Sequence, residues 1–134
     1  MENLGWGLSP TLDSGPVFTC IVTGDPRLPE VAYPFVRDTV DKLLAAHLPA
    51  VRIVYVWRTA GADHLAGRYA RERKLAIYFV ADRTPEILDK VSPNAAVVFD
   101  GGGKESEVLF RTARELRIAL RVVDVRAFVA PARL

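Results

Sequence analysis

The sequence has little of several features that define common classes of protein. It contains a single cysteine, Cys20, so no disulfide can form within the chain, and this usage is typical of a reducing compartment. None of its apolar stretches approaches the roughly 18 residues that a membrane-spanning helix needs. Its formal net charge is only +2, which gives nucleic-acid binding little support. We therefore expect a cytoplasmic protein that acts neither in a membrane nor on nucleic acid.

The first 16 residues also lack the features of a signal peptide. The segment MENLGWGLSPTLDSGP has no positively charged start and no apolar core, and its glycines and prolines follow no period. We expect residues 1–16 to form a flexible lead-in, residues 17–126 to form the domain, and residues 127–134 to form a tail. A chain of 134 residues is one domain by size.

Within the domain, apolar runs of strand length alternate with helical patterns. Five runs predict β-strands, at 17–24, 51–57, 75–81, 95–100 and 118–125. Three stripes predict helices: Val36 to His47, residues 61–75, and Leu109 to Arg117. Repeated βαβ units favour a parallel sheet that is covered on both faces. The expected fold class is α/β: a three-layer α/β/α Rossmann-like domain with a five-stranded parallel sheet in the order 3-2-1-4-5.

Ligands of such sheets bind beyond the carboxyl ends of the strands, here the loops 24–29, 57–62, 81–84 and 100–106. The most informative loop carries Gly101, Gly102 and Gly103 between the fourth strand and a helix. Free N–H groups and the helix dipole meet at such a point and stabilise a phosphate, to which Lys104 adds a charge and Ser106 a hydroxyl. The alternative is a tight turn in which Ser106 caps the helix. The sequence leaves both open.

Two stricter phosphate motifs are absent. A P-loop needs glycine where Val98 stands and serine or threonine where Glu105 stands. The dinucleotide fingerprint needs a third glycine where Ser106 stands, and it should follow the first strand rather than the fourth. A P-loop nucleotide hydrolase and a conventional NAD dehydrogenase are therefore excluded.

Other side chains in these loops are candidates for binding. Arg27 follows the first strand and Arg58 the second, where either would meet an anion, and Arg58 and Lys104 would assist backbone N–H groups of residues 102–106. Asp63 lies in the first turn of a helix, where it either complements the dipole or faces a ribose hydroxyl or a ligand amine.

The sequence contains no strong catalytic or metal-binding pattern. Carboxylates near strand ends could be paired for acid–base chemistry, but such residues are common there: Asp25, Asp63, Asp100 and Glu107. Cys20 lies inside a strand, which predicts a buried structural thiol. His47 and His64 have no partner at the spacing of metal ligands, so we predict no metal site.

Three segments together resemble the SLOG superfamily of Rossmann-like domains, and most of all its YspA/YpsA-related branch. The segments are CIVTGDPR, GADHLAGRYARERKLAIYFVAD and AAVVFDGGGKESEVLFRTARELRIALRVVDV, which cover about residues 17 to 125. The resemblance implies a doubly wound α/β domain that binds a nucleotide or a nucleotide-derived small molecule. The positions that match the ligand-facing motifs of the family are Gly24, Gly61, Ala62, Asp63, Gly101 and Gly102.

The resemblance also bears on catalysis, because the superfamily includes phosphoribohydrolases that cleave nucleoside monophosphates as well as sensor domains without catalysis. Val108 occupies the position of the phosphoribohydrolase glutamate, and Trp57 and Arg58 replace a glycine pair of the branch. We therefore expect a non-catalytic nucleotide-binding or sensing domain with no further cofactor. The alternatives are a phosphoribohydrolase-like hydrolase and a degenerate domain kept for assembly with itself or with a partner.

Overall fold

A computed structural model of the chain describes residues 17–56, 60–80, 90–102, 105–115 and 117–129. The predicted lead-in at residues 1–16 lies outside these residues. Five strands form one sheet, namely β1 (Phe18–Gly24), β2 (Val51–Val56), β3 (Ala76–Val80), β4 (Ala95–Asp100) and β5 (Ala119–Asp124). Every pair of neighbouring strands is parallel, and the order is β3-β2-β1-β4-β5. The predicted topology is confirmed.

Three helices connect or follow these strands, namely α1 (Tyr33–Leu43), α2 (Ala62–Glu72) and α3 (Glu105–Glu115). Two short 3-10 helices lie at Glu30–Ala32 and Arg126–Phe128. Pro34 lies in the first turn of α1, where its missing N–H has no helical partner to lose. Val129 is buried in the core, so the packed domain continues at least to residue 129, beyond the predicted boundary at 126.

All three helices end earlier than their apolar spacing predicts. Helix α1 stops at Leu43, and His47 lies in the following turns with its ring stacked on Phe18 at 3.7 Å. Lys74 (φ 57°) and Arg117 (φ 59°) adopt the left-handed conformation beyond α2 and α3. The next N–H then donates back five residues, from Leu75 to Ala70 and from Ile118 to Ala113, each at 2.9 Å. This pattern is a Schellman ending, which periodicity alone does not reveal.

The helices cover both faces of the sheet. One buried cluster joins α1 and α2 to strand residues such as Cys20, Ile53 and Phe99. A second cluster contains Ile21, Val54 and Val98 and packs against Phe110 of α3. Because alternate residues of a strand point to opposite faces, the two clusters lie on opposite sides of the sheet. The central strand β1 is buried from Thr19 to Thr23, as its continuous apolar run predicts.

Candidate functional site

Three of the four predicted loops meet at the carboxyl edge of the sheet where the structure describes them. An added Cβ at Gly24 would lie 2.2 Å from the carbonyl oxygen of Phe99, at the end of β4. At Gly61, which precedes α2, it would lie 2.5 Å from the Cα of Pro26. The loops after β1 and β2 therefore touch backbone to backbone, and the end of β4 lies against the end of β1, as the topology predicts.

These contacts give most of the predicted glycines a packing role. Gly24 and Gly61 have φ angles of 155° and 89° and leave no room for a side chain. At Gly101 an added Cβ would lie 2.3 Å from Oδ2 of Asp25, so the absence of a side chain accommodates that carboxylate. All three glycines are needed because neighbouring protein groups already occupy the adjacent space.

Gly102 differs from these glycines. It is exposed, its φ is 94°, and among the described residues beyond its chain neighbours an added Cβ would meet only the side chain of Arg126, at 3.6 Å. Its N–H donates to Oδ1 of Asp100 at 2.8 Å. Of the N–H groups of residues 102–106 that we expect to hold an anion, that of Gly102 thus already has a partner within the protein. In the described part of the chain, the nearest atom to the missing side chain of Gly102 is Cδ of Arg126.

Asp63 lies in the first turn of α2 and is only 2% exposed. One carboxylate oxygen accepts a short hydrogen bond from the Thr23 hydroxyl, and the other accepts the N–H of Val56 at 3.1 Å. The adjacent N–H of Ala62 donates to the carbonyl of Asp25 at 3.0 Å. Asp63 therefore joins the start of α2 to the ends of β1 and β2.

Three aspartates lie abreast at this edge, a set that we call the aspartate row. Gly24 and Val123 pair with Phe99 from its two sides. The residues that follow these three are Asp25, Asp100 and Asp124. Each aspartate accepts the backbone N–H two residues later, from Arg27 at 2.8 Å, Gly102 at 2.8 Å and Arg126 at 2.9 Å. The chain therefore forms the same type of turn after each of β1, β4 and β5.

Two arginines neutralise the outer members of the row. The Arg27 guanidinium donates to both oxygens of Asp25, from Nε at 3.0 Å and from Nη2 at 2.8 Å. Arg126 makes the same two bonds to Asp124, also at 3.0 and 2.8 Å. Arg27 Nη2 further reaches the carbonyl of Gly101 at 3.4 Å. The predicted ligand-binding arginine Arg27 is therefore held by the protein itself.

These pairs shift the carboxyl pKa values downward. The side-chain hydrogen bond from Arg27 is the main cause that lowers the pKa of Asp25, against the opposing effect of burial. The side-chain and backbone hydrogen bonds from Arg126 lower the pKa of Asp124 to about 2. Both carboxylates are thus held in the ionised form.

The remaining predicted site residues are only partly placed. Arg58, Gly103 and Lys104 lie outside the described residues, as do Trp57 and the loop 81–84. Helix α3 begins at Glu105, so Ser106 lies inside its first turn rather than at the position that caps it.

Residues considered for other chemistry have structural partners. Burial raises the pKa of the Cys20 thiol to about 12, so Cys20 is an inert strand residue, as predicted. His64 Nε2 lies 2.9 Å from Oε2 of Glu30. Within the described ranges, no three His, Cys, Asp or Glu side chains come together to form a possible metal site. None of the described helices is long and apolar enough to cross a membrane.

Sequence reasoning missed Asp124 and Arg126. The signal that could have found them is a repeat, because the first strand ends in GDPR and the fifth in VDVR. Both place arginine two residues after an aspartate at a strand end. Only the order of the sheet shows that these two segments lie on opposite sides of the glycine turn after β4.

The geometry is not accompanied by a match to a known protein. Comparisons with protein-family models, with curated proteins and with solved structures found none that matches this chain.

Proposed function

We propose that this chain is a domain that binds a nucleotide or a nucleotide-derived ligand, without catalysis, at the carboxyl edge of its sheet. A phosphate group of that ligand would lie beside Gly102. The observation that carries the proposal is the conformation of Gly102, which is exposed and has a positive φ, and whose added Cβ would come no closer than 3.6 Å to any described residue beyond its chain neighbours. The resemblance of the sequence to the SLOG superfamily supports the same assignment.

The topology supports this location. The chain runs from β1 outward through β2 to β3 and then returns to the other side of β1 as β4. Ligands of doubly wound sheets bind at this change of direction, beyond the carboxyl ends of the two central strands. Gly102 follows β4, and α3 begins three residues later at Glu105, so a helix N-terminus lies next to the turn.

The lowered carboxyl pKa values argue against a general acid at Asp25 or Asp124. A general acid at neutral pH needs a raised pKa, yet the shifts at Asp25 and Asp124 are both downward. In the sequence, Val108 takes the position of the phosphoribohydrolase glutamate. We therefore expect release of free base from nucleoside monophosphates to stay at the level of a Gly102→Val control. Turnover well above that control would show that the domain is a hydrolase.

Thermal denaturation tests the binding proposal. The protein is heated with AMP, ADP, ATP, NAD or ADP-ribose, each from micromolar to millimolar concentration. A ligand at 100 times its Kd stabilises the native state by about 2.7 kcal/mol, which raises Tm by several degrees. We expect at least one of these compounds to do so. Unchanged Tm with all five would contradict the proposal.

Two variants show whether the Gly102 turn is the site. Gly102→Val places a β-branched side chain at a φ of 94°, where the ligand phosphate would lie beside Arg126. We therefore expect binding to disappear. Lys104→Ala removes one charge and should weaken binding moderately. The Tm of each variant without ligand separates lost binding from lost stability.

Assembly is the second candidate function, and the edge strand β3 favours it. Tyr78 and Phe79 are 50% and 55% exposed, and Ala76–Val80 contains no charged residue. Edge strands usually carry charges that prevent pairing with another chain. If assembly is the function, the wild type should be a dimer by light scattering and Phe79→Lys a monomer. A wild type that stays monomeric at high concentration would exclude self-assembly through β3.

A further inference from the structure

Two arginines follow the strands on either side of β4, the strand that leads into the Gly102 turn. Gly24 and Val123 pair with Phe99 from its two sides. Arg27, Gly102 and Arg126 each lie three residues after one of these paired residues. Arg27 follows β1, and Arg126 follows β5, the two neighbours of β4. We call Arg27 and Arg126 the flanking arginines.

Both flanking arginines contact the glycine turn. Arg27 Nη2 lies 3.4 Å from the carbonyl oxygen of Gly101. The Cδ of Arg126 lies 3.6 Å from where a Cβ of Gly102 would stand. The two side chains therefore approach the same two-residue turn from opposite sides, and the missing side chain of Gly102 leaves space next to Arg126.

The aspartates hold the guanidiniums in place without covering them. Each guanidinium bonds both oxygens of the aspartate two residues earlier. In both pairs the arginine side chain is the more exposed partner, at 49% for Arg27 against 2% for Asp25, and 71% for Arg126 against 60% for Asp124. Both arginine side chains therefore stay partly accessible to solvent. The Arg126 guanidinium has five N–H donors, of which its two bonds to Asp124 use two.

We propose that Arg27 and Arg126 form a clamp that binds one phosphate group at Gly102. This inference rests on the proposed function for the identity of the ligand as a nucleotide, and it adds the residues that recognise the phosphate. The carboxylates of Asp25 and Asp124 orient the two guanidiniums in advance, which lowers the entropy that binding costs. Arginine forks suit phosphate oxygens better than lysine does.

Calorimetric titration of the wild type and of Arg126→Gln with AMP, adenosine and inorganic phosphate tests the clamp. We expect the wild type to bind AMP more tightly than adenosine, and Arg126→Gln to bind AMP about tenfold more weakly because one charged contact is lost. Adenosine binding should not change. Arg121→Gln is the matched control, since Arg121 is an exposed arginine within β5 and away from the Gly102 turn. The Arg121→Gln protein should bind AMP as tightly as the wild type.

Arg126 is the deciding position, because Arg27 also neutralises the buried Asp25 and its loss affects folding. Arg27→Lys, which keeps the charge but not the fork, should also weaken AMP binding, with Tm recorded as a check. AMP affinity within twofold of wild type in Arg126→Gln would overturn the clamp and leave the proposed function standing. Arginine-dependent binding of inorganic phosphate without any nucleotide would support the clamp and overturn the nucleotide proposal. A wild type that binds none of the three probes would overturn both.

Discussion

The turns at Asp25–Arg27 and at Asp124–Arg126 make the same hydrogen bonds in different surroundings. Their three corresponding distances agree within 0.1 Å, at 2.8, 3.0 and 2.8 Å against 2.9, 3.0 and 2.8 Å. The Asp25 side chain is nevertheless 2% exposed and that of Asp124 is 60% exposed.

Strand order explains the difference. Asp25 follows the central strand β1, where Gly101 and the start of α2 pack against it, whereas Asp124 follows the edge strand β5. An aspartate with arginine two residues later is thus sufficient for the turn. The position of the strand in the sheet decides how much the turn contributes to stability, because an ion pair in contact with water is worth little.

The largest expected contrast lies at the residues that precede the two aspartates, Gly24 and Val123. Gly24→Ala forces a Cβ to within 2.2 Å of the Phe99 carbonyl oxygen, so we expect a loss of about 3 kcal/mol or more. Val123→Ala removes a half-buried side chain and should cost about 1 kcal/mol. Urea denaturation measures both. A Gly24→Ala protein as stable as Val123→Ala would show that the crowding at β1 is relieved at small cost.

The aspartates themselves should give the next largest contrast. Asp25→Ala removes the acceptor of the backbone and side-chain bonds of Arg27 inside a packed edge, and we expect a loss of about 2 kcal/mol. The half-exposed Arg27 can turn to water, which keeps the loss below that of a fully buried pair. Asp124→Ala should leave Tm unchanged within error. Equal effects at the two positions would remove the distinction between the turns.

Lowering the pH should reduce the difference in the free energy of unfolding between the wild type and Asp25→Asn. Because the folded pKa of Asp25 is lowered, its contribution is fully present above the unfolded pKa of about 3.9 and is lost as pH falls through the folded value. Urea midpoints at pH 7, 5, 4 and 3 measure this gap. Asp124→Asn serves as the control, with little difference from wild type at pH 7. A gap at Asp25 that stays constant down to pH 3 would mean that its charge does not carry the effect.

The smallest expected effect is that of salt on carboxyl pKa values, and it should appear at the exposed turn Asp124–Arg126. Arg126 lowers the Asp124 pKa to about 2 across a solvent-exposed pair, which counterions screen. We expect the pKa of Asp124 to rise toward its ordinary value in 1 M KCl, while that of Asp25 moves less. Carbon-detected NMR titration of the side-chain carboxyls measures both. A larger change at Asp25 would contradict the difference in burial.

Much of the fold was predictable because strands buried on both faces leave a plain pattern in the sequence. The five apolar runs located all five strands to within one or two residues, and their alternation with helices predicted the parallel sheet. Helix ends were less predictable. At Lys74 and Arg117 a non-glycine residue ends the helix in the left-handed conformation, and no local signal marks it.

For the candidate site, the sequence by itself determined the local turns. An aspartate at a strand end accepts the N–H two residues later through contacts that span three residues only, so GDPR, DGG and DVR carry this information themselves. It also determined that Gly24, Gly61, Gly101 and Gly102 would stand near strand or helix ends.

Only the tertiary structure decided what those turns do together. It placed the three aspartates abreast, filled the space at three glycines with neighbouring protein atoms, and brought Arg126 to within 3.6 Å of where a Cβ of Gly102 would stand. It also brought Arg126 to the side of Gly102 opposite Arg27, although 99 positions separate the two arginines in the chain. The physical reason is strand pairing, because parallel hydrogen bonding aligns distant segments at one edge, and no short-range pattern encodes which strands become neighbours.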